Sequence, residues 1–156
     1  MYFREELYNS ISGSLKTIVT GSGYQTNIGN YVNEYQSDVA NEDEVQVYLL
    51  DSMQTFFDID QRYDLVYPIQ GSILFDIKIQ IRKGTDTLKY LRNAVLDVEK
   101  MIGNQYETLR ALYPSLRLFI SSNEITVERE ELIIGTAKIE LNCHYTQKSF
   151  DPDTNC

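Results

Sequence analysis

Residues 72–82 read Ser-Ile-Leu-Phe-Asp-Ile-Lys-Ile-Gln-Ile-Arg. Ile73, Phe75, Ile77, Ile79 and Ile81 fall on alternate residues, with Asp76, Lys78, Gln80 and Arg82 between them. Successive side chains of a strand point to opposite faces, so the stretch predicts a strand with one apolar face and one charged or amide face. Strands of this kind belong to antiparallel sheets that pack one face on a core and turn the other to water or a partner. Ala137, Ile139, Leu141, Cys143 and Tyr145 repeat the design against Lys138, Glu140, Asn142 and His144. Two such strands need a cover for their apolar faces, and that need constrains how the remaining segments are read.

Two segments can supply it. Residues 3–19 carry Phe3, Leu7, Ile11, Leu15, Ile18 and Val19 at helical spacing, with Glu5 and Glu6 at the start, Lys16 near the end, and Gly21 and Gly23 as stops. Residues 86–110 carry Leu88, Leu91, Val95, Val98, Ile102 and Leu109 as a second stripe, with Asp86 placed to cap the first turn and Tyr113-Pro114 beyond the end. Between them, residues 24–44 show no clear period, and Asn41-Glu-Asp-Glu44 reads as an exposed acidic turn. Val45–Leu50 reads as a strand. Asp51–Asp60 reads as a loop whose Phe56 and Phe57 are tucked under it or kept for a partner. Asp64–Tyr67 reads as a strand segment ended by Pro68 and Gly71. Leu116–Ile120 and Ile125–Arg129 read as two strands about Ser121-Ser-Asn123, or as one bent strand, and Leu132–Tyr145 as the last long strand. The expected architecture is α+β: a single twisted, mainly antiparallel sheet with two helices packed on one face, in one domain over residues 1–147, followed by a tail at 148–156.

The chain has 156 residues and a formal charge of −9. The imbalance is local: residues 1–66 hold 11 acidic and 3 basic side chains, and residues 67–156 hold 12 and 11. A basic footprint for gripping nucleic-acid phosphates is absent. Tyr is abundant at 12 and Trp absent, which suits wet protein contacts as well as sheet edges. Two cysteines, Cys143 and Cys156, make no disulfide framework, and a reducing compartment is the simpler expectation. The first residues carry Arg4, Glu5 and Glu6 and no long apolar run, so no signal peptide is expected. No apolar run reaches the length that spans a bilayer.

Catalytic chemistry finds little footing. His144 is the only histidine, and it alternates with Cys143, so the two point to opposite faces and make a poor catalytic pair. No nucleophile elbow, phosphate-cradling glycine loop or paired Cys-x-x-Cys is present. The acidic run at 41–44 has no glycine for a cation-binding turn, and Asp151, Asp153 and Asn155 open a calcium-loop spacing without its glycine and closing glutamate. Asp64 with Asp76-Ile77-Lys78 has the look of a metal-dependent nuclease pattern, in which two carboxylates hold Mg²⁺ and the lysine steadies the attacking water. Cross-strand ion pairing explains the same residues, and basic surface to hold DNA is missing. No enzyme, cofactor or metal is expected, and the mixed-charge sheet face becomes the surface of interest. Mixed charge suits a contact that must fix orientation, because wrong registers bring like charges together.

The order of segments resembles the tail terminator (tail completion) proteins of tailed bacteriophages. The resemblance is carried by the helix ending near Gly21 and by Gly23-Tyr-Gln-Thr-Asn-Ile-Gly-Asn-Tyr-Val32 as a turn into an extended segment. Val45-Gln-Val-Tyr-Leu-Leu-Asp51 follows as a short strand before a variable loop. The central strand, the helix from Asp86 and the last strand running to Phe150-Asp-Pro-Asp153 complete it. The Val39–Glu44 loop departs from the pattern, where a proline commonly precedes the strand. The resemblance implies a structural virion protein at the tail–neck junction, assembled in the host cytoplasm. Such proteins form a homohexameric ring that caps the tail tube, stops its elongation and joins the tail to the neck or head connector. A sheath protein is a further partner if the tail is contractile, and DNA passes through without specific binding. On that reading Asp76, Lys78, Gln80, Arg82, Lys138, Glu140 and His144 are ring-interface candidates. Phe56, Phe57 and Phe150 are candidates for contact with the tube or a neighbour, and Asp38, Glu42, Asp43 and Glu44 for the lumen. A neck or head-completion adaptor is the alternative, and the nuclease built on Asp64, Asp76 and Lys78 is a remote one.

Overall fold

The computed structural model describes residues 2–33, 45–57, 69–82, 86–129 and 133–147. Two helices, α1 (Phe3–Leu15) and α2 (Thr87–Leu112), pack on one face of a sheet built from β1 (Val32–Asn33), β2 (Val45–Phe57), β3 (Ile69–Arg82), β4 (Arg117–Arg129) and β5 (Ile133–Gln147). The spatial order is β1-β2-β3-β5-β4; β1 runs parallel to β2 and every other pair is antiparallel. The α+β architecture expected from the alternation is therefore present.

The alternation does what its chemistry demands. Ile73, Phe75, Ile77, Ile79 and Ile81 have at most 1% of their surface exposed. They face Cys143, Leu141, Ile139, Ala137 and Gly135 across the β3–β5 ladder. On β2, Val47 and Leu49 complete the layer opposite Ile79 and Ile77. Burial of this many branched aliphatic side chains is the main stabilising term, at about 1.5–3 kcal/mol for each one fully covered. Gly135 lets α2 close on the sheet: a Cβ there would stand 2.3 Å from Thr87 Cγ2 and 2.7 Å from Leu91 Cδ1.

Several local expectations give way to the structure. α1 ends at Leu15, well before Gly21, because Ser10 to Ser14 is a poor helix run whose hydroxyls bond backbone carbonyls; Ser14 Oγ donates to Ser10 O at 2.8 Å. The chain then tightens through 3₁₀-type bonds, Thr17 N–H to Ser14 O and Ile18 N–H to Leu15 O, which still bury Ile18 completely. Asp86 precedes α2 in the left-handed region (φ 59°), and its side chain makes no capping bond. Only its carbonyl joins the helix, accepting from Tyr90 N–H at 3.0 Å. Leu88 is 49% exposed and lies off the buried stripe. β4 is one strand with a bulge between Ile120 and Ser122, the bent-strand alternative. Asp51 to Phe57 is not a loop: β2 continues through it past a bulge between Asp51 and Met53. Asp64–Tyr67, Leu132 and the tail at 148–156 lie outside the described residues.

Candidate interaction surface

The face of the sheet away from the helices carries Asp76, Lys78, Gln80 and Arg82 on β3 beside Glu140, Lys138, Thr136 and Ile134 on β5. The ladder places Asp76 directly opposite Glu140 and Lys78 opposite Lys138. Like charges directly opposite one another destabilise a sheet, so the side chains must turn along the strands to find partners. Lys138 does so. Its Nζ lies 3.3 Å from Glu140 Oε1 and 3.8 Å from Asp76 Oδ2, one ammonium serving two carboxylates. The hydrogen bond to Glu140 and the nearby charge of Asp76 hold the Lys138 ammonium above its ordinary pKa. Glu140 is held below its ordinary value, first by Ser122 and then by Lys138. Asp76 Oδ2 also accepts from Ser52 Oγ at 2.6 Å, whereas its Oδ1 is buried without a hydrogen bond among the described residues. His144 stacks edge-to-face on Phe119 of β4 at 5.0 Å.

The ring-interface candidates thus share one face, and each is half-buried. The face is not uniformly open. Tyr48, on β2 opposite Lys78, has no exposed surface, and Gln46 keeps only 6%. Toward β4 it opens, with Phe119 at 43% exposure and Ser122, Glu124, Thr126 and Glu128 exposed.

Phe56 and Phe57 are not a pair in a loop. Phe56 lies on β2, half-buried opposite Gly71 on the helix side. The side chain of Phe57, the whole of Phe150, the lumen candidates Asp38, Glu42, Asp43 and Glu44, and Asp64 of the nuclease pattern lie outside the described residues. Asp76 and Lys78 do share a face, yet the carboxylate is held by Ser52 and Lys138. Among the described residues no three His, Cys, Asp or Glu side chains are placed to hold a metal ion, and no helix is long and apolar enough to cross a membrane.

Two polar arrangements escaped the sequence. The first closes the base of the core. β2 puts Val45, Val47 and Leu49 on the helix side, and the alternation then delivers Asp51 and, after the bulge, Gln54 to the same side. Arg4 of α1 covers them: Nε donates to Asp51 Oδ2 at 2.7 Å, Nη2 to Oδ1 at 2.5 Å and Nη1 to Gln54 Oε1 at 2.9 Å. Gln54 Nε2 in turn donates to the Tyr145 hydroxyl. A cavity of about 490 Å³ lies over this chain, walled by Tyr2, Phe3 and Tyr8. Forked Arg–carboxylate pairing raises the Arg4 pKa, and burial pushes the Tyr145 phenol up. The readable signal was an aspartate in phase with Val45, Val47 and Leu49.

The second arrangement pins the turn that carries the family resemblance. Asp97, on the core side of α2 and 3% exposed, accepts from Gln25 N–H at 3.0 and 3.1 Å, Thr26 N–H at 2.8 Å and Thr26 Oγ at 2.7 Å. One turn on, Lys100 Nζ donates to Gly23 O at 2.7 Å and lies 5.1 Å from the Tyr24 ring centre. Gly23 itself sits at φ 87°, where a residue without Cβ is unstrained. No protein-family model matches the chain, and no curated protein matches it.

Proposed function

We propose that this chain is a structural subunit of a virion, a tail terminator. It closes into a homohexameric ring on the end of the tail tube, stops tube elongation and meets the neck or head connector. The observation that carries the reading is the helix-free sheet face, where Asp76, Glu140, Lys78 and Lys138 alternate in register along the two central strands. A rotational ring joins different patches of successive subunits, and a surface that mixes both signs in fixed order suits such a contact by penalising every wrong register. The Gly23–Val32 turn supports it in a second way: Asp97 and Lys100 make that segment a fixed part of the fold.

In this role the protein catalyses nothing and needs no cofactor. The chain's acidic balance keeps DNA from sticking as it passes through the ring. The test is binding to purified tail tubes lacking their terminator, read by co-sedimentation and negative-stain images. Wild-type protein is expected at one end of each tube. Lys78→Gln, which leaves the Lys138 bridge to Asp76 and Glu140 in place, is expected to keep the wild-type circular dichroism spectrum and leave the ends bare. No binding by the wild-type chain refutes the proposal.

A further inference from the structure

β4 is the outer strand of the sheet, and among the described residues nothing pairs with its free side. Such an edge offers a row of unpaired N–H and C=O groups over 13 residues. Its bulge fixes which residues share a face. Leu118 and Ile120 are on the helix side before the bulge, and Asn123, Ile125 and Val127 after it. The bulge leaves Ser121 without a cross-strand partner, and the residues on either side of it keep the two faces of the strand in phase with a second copy of itself.

We propose that two chains pair β4 to β4, antiparallel, about a two-fold axis through Asn123. With Asn123 facing Asn123, each ladder step then matches. Ser122 faces Glu124, Ile120 faces Ile125, Phe119 faces Thr126, Leu118 faces Val127, and Arg117 faces Glu128. Every apolar residue of the helix side meets another, and the one cation at the strand's start meets an anion, twice by symmetry. Opposite-charge and branched apolar pairs directly across a ladder are the stabilising ones. All the residues that must meet water-free partners are accessible: Arg117, Phe119, Ser122, Asn123, Glu124, Thr126 and Glu128 are exposed.

α2 adds to the same contact. Glu99 accepts from Asn123 Nδ2 at 3.3 Å, so this flank of α2 stands over the axis. At 100° per residue, Leu88, Arg92, Leu96, Gly103 and Tyr106 share that flank with Glu99. Leu88 and Leu96 are 49% and 59% exposed, and a Cβ on Gly103 would meet nothing within 4 Å. The axis brings the two copies of α2 side by side, and the exposed leucines gain a cover. The contact leaves the helix-free face open and does not depend on the ring.

Disulfide trapping in the full chain tests it. Directly opposite residues have Cβ atoms about 4.5–5.5 Å apart, close to disulfide geometry. In a Cys156→Ser background, Asn123→Cys is expected to form a covalent dimer under mild oxidation several-fold faster than Lys16→Cys, an exposed control just after α1. Arg117→Glu is expected to slow the trapping, and adding Glu128→Arg to restore it. Asn123→Cys no faster than the control overturns the pairing. Trapping indifferent to the charge swap overturns the register. Failure here leaves tube binding untouched, so the two proposals fail separately.

Discussion

Asp97→Ala is the sharpest test of how the chain is held together. The substitution removes one acceptor from three donors, Gln25 N–H, Thr26 N–H and Thr26 Oγ–H. Hydrogen bonds to a charged group contribute about 1.5–3 kcal/mol each, and a buried donor left unmet costs about 1–3 kcal/mol. They do not add, because all three share one carboxylate and Gln25 can turn to water. Against them stand the desolvation of the carboxylate, which Ala relieves, and the better helix propensity of Ala, worth about 0.6 kcal/mol. The lost bonds win, since the two Thr26 donors remain in the core after the acceptor has gone. The net is about 3 kcal/mol, a fall in Tm of roughly 6–12 °C for a chain of this size. Asp97→Asn keeps one carbonyl acceptor and is expected to lose about half as much. Urea unfolding followed by far-UV circular dichroism gives the difference, and a double-mutant cycle with Thr26→Val isolates the hydroxyl, with a coupling of about 1 kcal/mol expected. If Asp97→Ala is within 0.5 kcal/mol of wild type, with an unchanged dependence on urea, the carboxylate does not anchor the turn and the reasoning fails.

Three further outcomes follow from the packing. Gly135→Ala drives a methyl into Thr87 and Leu91, so α2 must lift at its start; a loss of about 1–3 kcal/mol in urea is expected, and a neutral substitution refutes the close approach. Burial, with the hydrogen bond to Glu6, pushes the Tyr113 phenol up to about 12. Its folded value is raised, so its contribution is complete below its ordinary value of 10.0 and is lost as pH climbs from about 10 to about 12. Tyr113→Phe should flatten that part of the stability–pH curve; Tyr90, also at about 12, keeps some of the slope. The Cys143 thiol is fully buried and pushed up by that burial, so in a Cys156→Ser chain a thiol reagent should label it only at the rate of unfolding. Labelling within seconds in native buffer contradicts the packing.

What could be read in the chain was whatever depends on neighbours in sequence. The period of two in β3 and β5 needs no distant information, and it placed Ile73, Phe75, Ile77, Ile79 and Ile81 of β3 and Ala137, Ile139, Leu141, Cys143 and Tyr145 of β5 on the buried face. Bulges defeat the same reasoning. One extra residue at Ser52 and one at Ser121 shift the phase, so the second half of β2 looked like a loop and β4 read equally as two strands or one bent strand. Asp97 was illegible for another reason. A charge on the core side of a helix looks like a break in the stripe until its partners are known, and they lie 71 and 72 residues earlier in the chain. Leu88 misled in the opposite direction: it has the chemistry of the stripe but stands at its edge, in the first turn of α2, 49% exposed. On the candidate face, the residue types were visible, and the bridging of two carboxylates by Lys138 needed the register.

The last strand in the chain occupies the middle of the sheet, between β3 and β4. A ribosome working at about 5–20 residues per second completes β3 roughly 3–10 s, and α2 roughly 1–4 s, before β5 begins. Until β5 arrives, β3 has a neighbour on one side only, and the row of isoleucines has half its wall. The nascent chain therefore holds this strand half-paired until β5 has been made. The sheet can close only once β5 is in place, and cutting the chain before Ile133 should leave no smaller stable piece behind.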